Sequence, residues 1–292
     1  MSFANFINFC YNLPMKKITL LTLTTILSFA SPHITPYNAY SNANITYING
    51  RLIKEQSTTA DKNDSAIRNM INKSKLLFHS ELKDTEIFAI SNDKTYKSKS
   101  DDEGYFNLRI NSNAKSVILY TDKEKDAIEL KVANFNYPPV GVISDFDDTL
   151  VVSNVPSKLK LISNTVTKNY KQRELVKKTA TKIKTILKSH PNAPFIVVSG
   201  SPYQLYNPVK NFLAYHKFPK PILLLKQMHG DNKESSNQFK YKVAKIEKVF
   251  KRFPKTKWYM FGDSGEKDAE VYKYFKTKYP KRVISYDIRE VK

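Results

Sequence analysis

From Pro138 onward the chain alternates between two patterns. Val140 to Ser144, Phe195 to Ser199, Ile222 to Leu225, Trp258 to Phe261 and Val283 to Tyr286 are short, nearly unbroken apolar runs, the signature of strands covered on both faces. Between them the apolar residues recur at helical spacing. In Glu174 to Lys188, Leu175, Val176, Ala180, Ile183, Ile186 and Leu187 share one face, while Lys177, Lys178, Lys182, Lys184 and Lys188 lie largely off it. Val243, Ile246, Val249, Phe250 and Phe253 repeat the pattern. Alternating strands and helices predict an α/β fold with a doubly wound parallel sheet, whose ligands bind at the C-terminal ends of the strands.

The preceding stretch reads differently. Ile45 to Ile53, Ile87 to Ile90, Tyr105 to Ile110, Val117 to Tyr120 and Ile128 to Val132 are short strand-like runs, with a turn signal at Asp101, Asp102, Glu103 and Gly104. They predict a small β-sandwich. Between Lys54 and Ser80, Ile67, Met70, Ile71 and Leu76 can line one helix face. Nothing in this half has catalytic spacing.

The first residues add a targeting signal. Lys16 and Lys17 follow Met15 and precede an uncharged run from Ile18 to Ala30, too short for a membrane span of about 20 residues. Small residues at Ala39 and Ser41 offer a cleavage site, with Ser28 and Ala30 competing; a short buried helix is the other reading. Met15 begins a complete signal by itself and is the expected start. The expected division is therefore a leader over 1–41, a β-sandwich over 42–136 and a catalytic domain over 137–292, with export to the periplasm or medium.

Composition narrows the class. With 41% hydrophobic residues in 292, the chain is globular rather than disordered. Its single cysteine, Cys10, excludes a disulfide framework and a thiolate metal site. The net charge is +21, and residues 140–292 carry 31 basic against 13 acidic side chains, so +18 of it falls in that half. Such a field attracts anions, whether phosphorylated substrates, nucleic acid or acidic lipid, although a merely soluble lysine-rich surface has the same composition.

The candidate chemistry lies at three predicted strand ends. Asp145, Asp147 and Asp148 follow the first strand, and carboxylates this close repel unless protons or a cation intervene. A hard divalent ion answers this, and Asp145 and Asp147 would share a side if the strand continued, one to attack and one to handle a proton. Ser199, Gly200 and the amides that follow can hold a phosphoryl oxygen. Gly262, Asp263, Gly265 and Asp268 put two carboxylates five apart around a tight turn, suited to one metal ligand and one supporting acid. Singly, each of these is also an ordinary turn or cap.

Together, in this order, they resemble the haloacid dehalogenase superfamily of phosphotransferases: Asp145, Asp147 and Thr149 fit D-x-D-x-T, Ser199 the strand-end hydroxyl, and Gly262, Asp263 and Asp268 the last motif. Within it the chain is more similar to the actin patch protein type of phosphatidate phosphatase catalytic domain, through Gly141 to Leu150, Val198 to Tyr206, Pro221 to Lys226 and Phe253 to Tyr272. A small β-sandwich before the catalytic domain is also similar. Tyr203, Tyr241 and Ala269 stand where that family usually has Trp, His and Pro.

The resemblance implies a haloacid dehalogenase-like catalytic domain and transfer through an aspartyl phosphate. Asp145 would attack phosphorus, and Asp147 would protonate the leaving oxygen and then activate water. Thr149, Ser199, Gly200 and Lys242 would hold phosphate oxygens. Asp145, Asp147 through its carbonyl, and Asp263 would hold Mg²⁺, with Asp268 orienting its shell. Only about 45 residues separate Thr149 from Phe195, so a large cap over the site is not expected. An open basic site suits phosphatidate, cleaved to diacylglycerol and phosphate at an anionic membrane surface. The competing readings are an exported phosphatase for soluble esters such as nucleotides or sugar phosphates, and a catalytically inert module binding anionic membrane or nucleic acid. No nucleic-acid partner is expected, since aromatic ladders and zinc motifs are absent.

Overall fold

The computed structural model describes residues 32–54, 61–65, 68–69, 82–122, 127–152, 168–227 and 237–291. The leader, and the helix face suggested by Ile67, Met70, Ile71 and Leu76, lie outside the described residues. Residues 31–292 form one compact unit of α/β type, with three sheets among the described residues.

Eight strands make the first two sheets: β1 (Pro32–Asn42), β2 (Ile45–Lys54), β3 (Glu86–Ser91), β4 (Lys94–Lys99), β5 (Tyr105–Ile110), β6 (Ser116–Thr121), β7 (Ile128–Lys131) and β8 (Ala133–Phe135). Their orders are β5-β2-β1-β8 and β4-β3-β6-β7. Alternation decides which side chains go inward. In β5, Phe106, Leu108 and Ile110 are buried while Asn107 and Arg109 face out. Ile34, Ile48 and Leu52 of one sheet meet Ile87, Val117 and Leu119 of the other in a single apolar core. The turn before β5 forms as its sequence suggests: Asp101 Oδ1 accepts from the amides of Glu103 and Tyr105, and Gly104 takes a φ of 77° that disfavours any other residue.

β1 runs across the expected boundary at 41/42. It pairs with β2 along nearly its whole length and with β8 beyond, so residues 32–41 belong to the sheet. Processing at Ala39 to Ser41 would remove an inner strand, whereas the competing position at Ser28 to Ala30 leaves it whole. Two prolines, Pro32 and Pro36, hid the strand from sequence reading, and the register shifts between Pro36 and Asn38 as a bulge absorbs the second.

The third sheet is parallel throughout, with β9 (Val140–Ser144), β10 (Phe195–Pro202), β11 (Ile222–Lys226), β12 (Lys257–Asp263) and β13 (Val283–Arg289) in the order β11-β10-β9-β12-β13. The order runs outward from β9 in both directions. Helices α1 (Lys177–Ser189) and α2 (Tyr206–Tyr215) cover one face, through Ile183, Val209 and Phe212. Helices α3 (Gln238–Arg252) and α4 (Asp268–Lys278) cover the other, through Ile246, Phe250, Val271 and Phe275. The first helix starts three residues later than its periodicity suggests, because Val151 and Leu175 form a bridge instead. Gly141 is required by close packing, since a Cβ there would lie 2.3 Å from the Trp258 ring.

β1 also meets the edge of this sheet. The Asn38 carboxamide accepts from Leu223 N–H and donates to Leu223 C=O, which satisfies edge strand β11 as a neighbouring strand would.

Candidate active site

The C-terminal ends of β9, β10 and β12 converge on one buried acidic cluster. β9 stops at Ser144 instead of continuing, and Asp148 takes a left-handed φ of 56°, so Asp145 and Asp147 diverge rather than share a side. Asp145 points inward and is 2% exposed; Asp147 stays at the mouth. Asp145, Asp263 and Asp268 each bring a carboxylate oxygen within 4.8 Å of the others.

Lys242 enters this cluster from α3. It lies one turn before Ile246 on the buried stripe of that helix, so amphipathic packing itself carries the ammonium inward. Its Nζ is 2.9 Å from Asp145 Oδ1, 2.5 Å from Asp268 Oδ1 and 2.7 Å from Glu266 Oε2. Burial alone would push this lysine down, but Asp145, Asp268 and Glu266 outweigh it and hold it well above its usual range.

The remaining carboxylates are oriented by main chain. Asp263 Oδ1 accepts from the amides of Gly265 and Glu266, and Thr149 Oγ1 lies 3.3 Å from Asp263 Oδ2. Asp268 Oδ2 accepts from the Asp263 amide. A Cβ on Gly262 would fall 2.4 Å from Asp268 Cβ, so glycine here is what lets the two aspartates approach.

Four carboxylates around one ammonium leave an excess of negative charge in a dry site. Burial first, and then Asp268 and Glu266, push Asp145 far above the carboxylate range; burial and Asp268 push Asp263 up to about 7. Asp145 Oδ2 is buried without a hydrogen-bond partner. Converging hard oxygen donors, excess charge and an orphaned carboxylate oxygen fit a hard divalent cation.

Asp147 is outside the three-carboxylate cluster. Ser201 Oγ donates to its Oδ2 at 3.0 Å, Ser199 Oγ lies 3.4 Å from the same atom, and Arg173 Nη2 is 3.1 Å from Oδ1. Ser199 is held in turn, since its Oγ accepts from the Ser201 amide and its carbonyl accepts from Tyr241 Oη. β10 runs on to Pro202, which places Ser199 and Gly200 within the strand end rather than at a helix N-terminus. Gly200 is exposed, and a Cβ there would meet nothing within 4 Å. Thr149 is fully buried, with its Oγ1 directed at Asp263.

Three participants escaped the sequence. Glu266 falls at a variable position of its motif, Ser201 lies in the strand-end stretch that carries the resemblance but was given no role, and Arg173 lies at a position that no motif marks. Only the spacing of Glu266 beside Asp263 and Asp268 could have signalled it. The departures at Tyr203 and Tyr241 are both structural: Tyr203 stacks on Tyr37 at 4.8 Å, and Tyr241 braces Ser199.

Residues 140–290, just over half of the chain, match the family "Phosphatidate phosphatase APP1, catalytic domain". The chain belongs to that family. Every residue of the cluster falls within the APP1 match. Phosphatidate phosphatase APP1 of Saccharomyces cerevisiae is 30% identical over 160 residues, which is 54% of this chain and 27% of the yeast protein, so the chain spans about a quarter of that relative. Two solved structures share a loose likeness. One is a chain of a Pnkp1/Rnl/Hen1 complex, with 17% identity and a TM-score of 0.36 over 59% of this chain and 57% of its own. The other is the carbohydrate acetylesterase XAC1771 of Xanthomonas citri, with 10% identity and a TM-score of 0.30 over 88% and 68%. Likenesses this loose decide nothing about the APP1-type site.

Proposed function

We propose that this protein is a Mg²⁺-dependent phosphatidate phosphatase that releases inorganic phosphate and diacylglycerol through an aspartyl phosphate. The observation that carries the reading is Asp145: Lys242 secures one carboxylate oxygen, and the other is buried, unpartnered and set within an acidic cluster at the strand ends. The same reading takes the five-stranded sheet as a haloacid dehalogenase-like core and the two other sheets as a small β-sandwich; strand order and the shared apolar core support it.

Asp145 attacks phosphorus, a P–O bond forms to its carboxylate, and the bond to the glycerol oxygen breaks as Asp147 delivers a proton to that oxygen. Water then attacks the acyl phosphate, Asp147 takes its proton, and the Asp145 carboxylate is restored with loss of phosphate. Ser199, the Gly200 amide and Lys242 face the phosphoryl oxygens. Asp145, Asp263 and Asp268, with the Asp147 carbonyl, would hold Mg²⁺, which when bound offsets the charge gathered on phosphate.

Substrate and location belong to the same proposal. Family membership favours phosphatidate, and exposed Lys177 and Lys178 on α1 present charge to an anionic membrane. Lys182 is paired with Asp287 and contributes less. No described helix is long and apolar enough to cross a membrane. The export signal after Met15, with processing before β1, completes the reading.

The test is phosphate release from phosphatidate in mixed micelles, nucleotides and sugar phosphates, with and without Mg²⁺. Phosphatidate should be turned over fastest and only with the metal. Faster release from the soluble esters would replace the lipid assignment with a soluble-ester phosphatase, and no release from any substrate would favour an inert anion-binding module.

A further inference from the structure

Arg173 has no role in the mechanism above, yet its placement is heavily determined. Val152 N–H donates to Glu174 C=O and Val176 N–H to Leu150 C=O, which laces the segment after Arg173 to the residues following the aspartates. On the other side, Gln172 Nε2 donates to the carbonyls of Lys62 and Asp64, Asn69 Nδ2 donates to Gln172 Oε1, and Asn169 Nδ2 donates to Asp64 Oδ2. The backbone is thus fixed from both sides, and the guanidinium moves only through its own side-chain torsions.

That guanidinium lies 5.5 Å over the ring of Phe146, the residue between the two aspartates, and 3.1 Å from Asp147 Oδ1. Its side chain is 12% exposed, at the mouth where the reacting phosphate must enter. In this position it occupies the carboxylate that the proposed reaction must turn toward the leaving oxygen. A phosphoryl group offers the planar fork of arginine two or more oxygens, a better match than one carboxylate oxygen.

We infer that Arg173 is a substrate-binding residue that exchanges partners: it leaves Asp147 for the phosphoryl oxygens as the ester enters, and its departure frees Asp147 to face the leaving group. Phosphate recognition and release of the proton-handling carboxylate are then one event. The inference rests on the phosphatase reading above.

The experiment compares the full chain with Arg173→Gln and Arg173→Lys, measuring kcat and KM for p-nitrophenyl phosphate and the inhibition constant of inorganic phosphate. Both KM and the inhibition constant should rise at least about tenfold in Arg173→Gln, and by less in Arg173→Lys, which keeps the charge but loses the fork. An arginine that only holds Asp147 would alter kcat and leave the phosphate constant unchanged; that result overturns the inference. If Arg173→Gln loses its fold by circular dichroism, Arg173→Lys decides by the same criterion. Turnover by the unaltered chain with no change in phosphate affinity sinks the inference alone, whereas no turnover by the unaltered chain sinks the phosphatase reading and this with it.

Discussion

Under the two four-stranded sheets the buried side chains include Ile34, Ile48, Leu52, Ile87, Phe106 and Leu119, and several of the polar groups there bond main chain: Ser100 Oγ to Leu82 C=O, Thr46 Oγ1 to Ser112 C=O, Arg51 Nε to Glu103 C=O. Under the strand ends of the five-stranded sheet, Asp145, Asp263, Asp268 and Lys242 are all nearly inaccessible; Lys242 bonds Asp145 and Asp268, and main-chain amides hold Asp263. The first arrangement stabilises the fold. The second stores like charge in a dry place, which favours the folded chain less and prepares the site for a cation and a phosphate. Residues of the two regions should therefore separate cleanly when stability and turnover are measured side by side.

The largest separation is expected at Asp145. Asp145→Asn should reduce turnover of any phosphomonoester by about 10³-fold or more, roughly 4 kcal/mol of barrier, while the thermal midpoint of the metal-free chain holds or rises because one buried like charge is gone. An equal loss of stability and activity would break the contrast. Lys242→Met should act on both: removing the one ammonium leaves its carboxylates uncompensated and destabilises the chain by roughly 3–5 kcal/mol, read from the urea midpoint. Added Mg²⁺ should recover part of that loss. Leu119→Ala, on the other side of the comparison, should destabilise by about 2–4 kcal/mol and leave KM for a small soluble ester unchanged at a temperature where the variant is folded.

A smaller effect concerns pH. Asp263 is raised to about 7 in the folded metal-free chain, so the folded state binds more protons than the unfolded state between the ordinary carboxylate range and neutrality. Its contribution to stability is complete at low pH and is lost as pH rises through about 7. Urea midpoints of the metal-free chain should accordingly fall between pH 5 and 8, with a flatter profile in Asp263→Asn. The smallest effect is at the surface. Lys177→Glu with Lys178→Glu should weaken hydrolysis of phosphatidate in anionic vesicles by about 1 kcal/mol per lysine, spare a soluble ester, and lose its effect in high salt.

What the sequence disclosed follows the same divide. The strand-end residues Asp145, Asp147, Ser199, Asp263 and Asp268 stood out because they fall in order at the ends of three apolar runs, a joint pattern that separate turns or caps do not make. The central strands β9 to β12 were legible because burial on both faces leaves an unbroken apolar run. β1 was not, since its prolines, asparagines and a bulge erase alternation, and β4 was not, since its side chains are largely exposed and polar. Arg173 and Glu266 matter through contacts with residues distant in sequence or through a side-chain direction, neither of which leaves a local pattern. The bonds from residues 61–69 to 169–172 are of the same kind.

The bridge from Asn38 to Leu223 has a consequence for how the protein is made. Its two ends are separated by 185 positions. At roughly 5–20 residues per second, the ribosome delivers Leu223 on the order of ten seconds or more after Asn38, whereas β1 to β8 are complete far earlier. The β region would thus finish first and present the Asn38 carboxamide as a waiting template, on which the edge of the parallel sheet docks last. A chain stalled on the ribosome after Lys188 should then show residues 32–54 and 82–122 protected from protease while Asn38→Ala leaves that protection unchanged. The same substitution in the finished chain should slow only the final docking step of refolding.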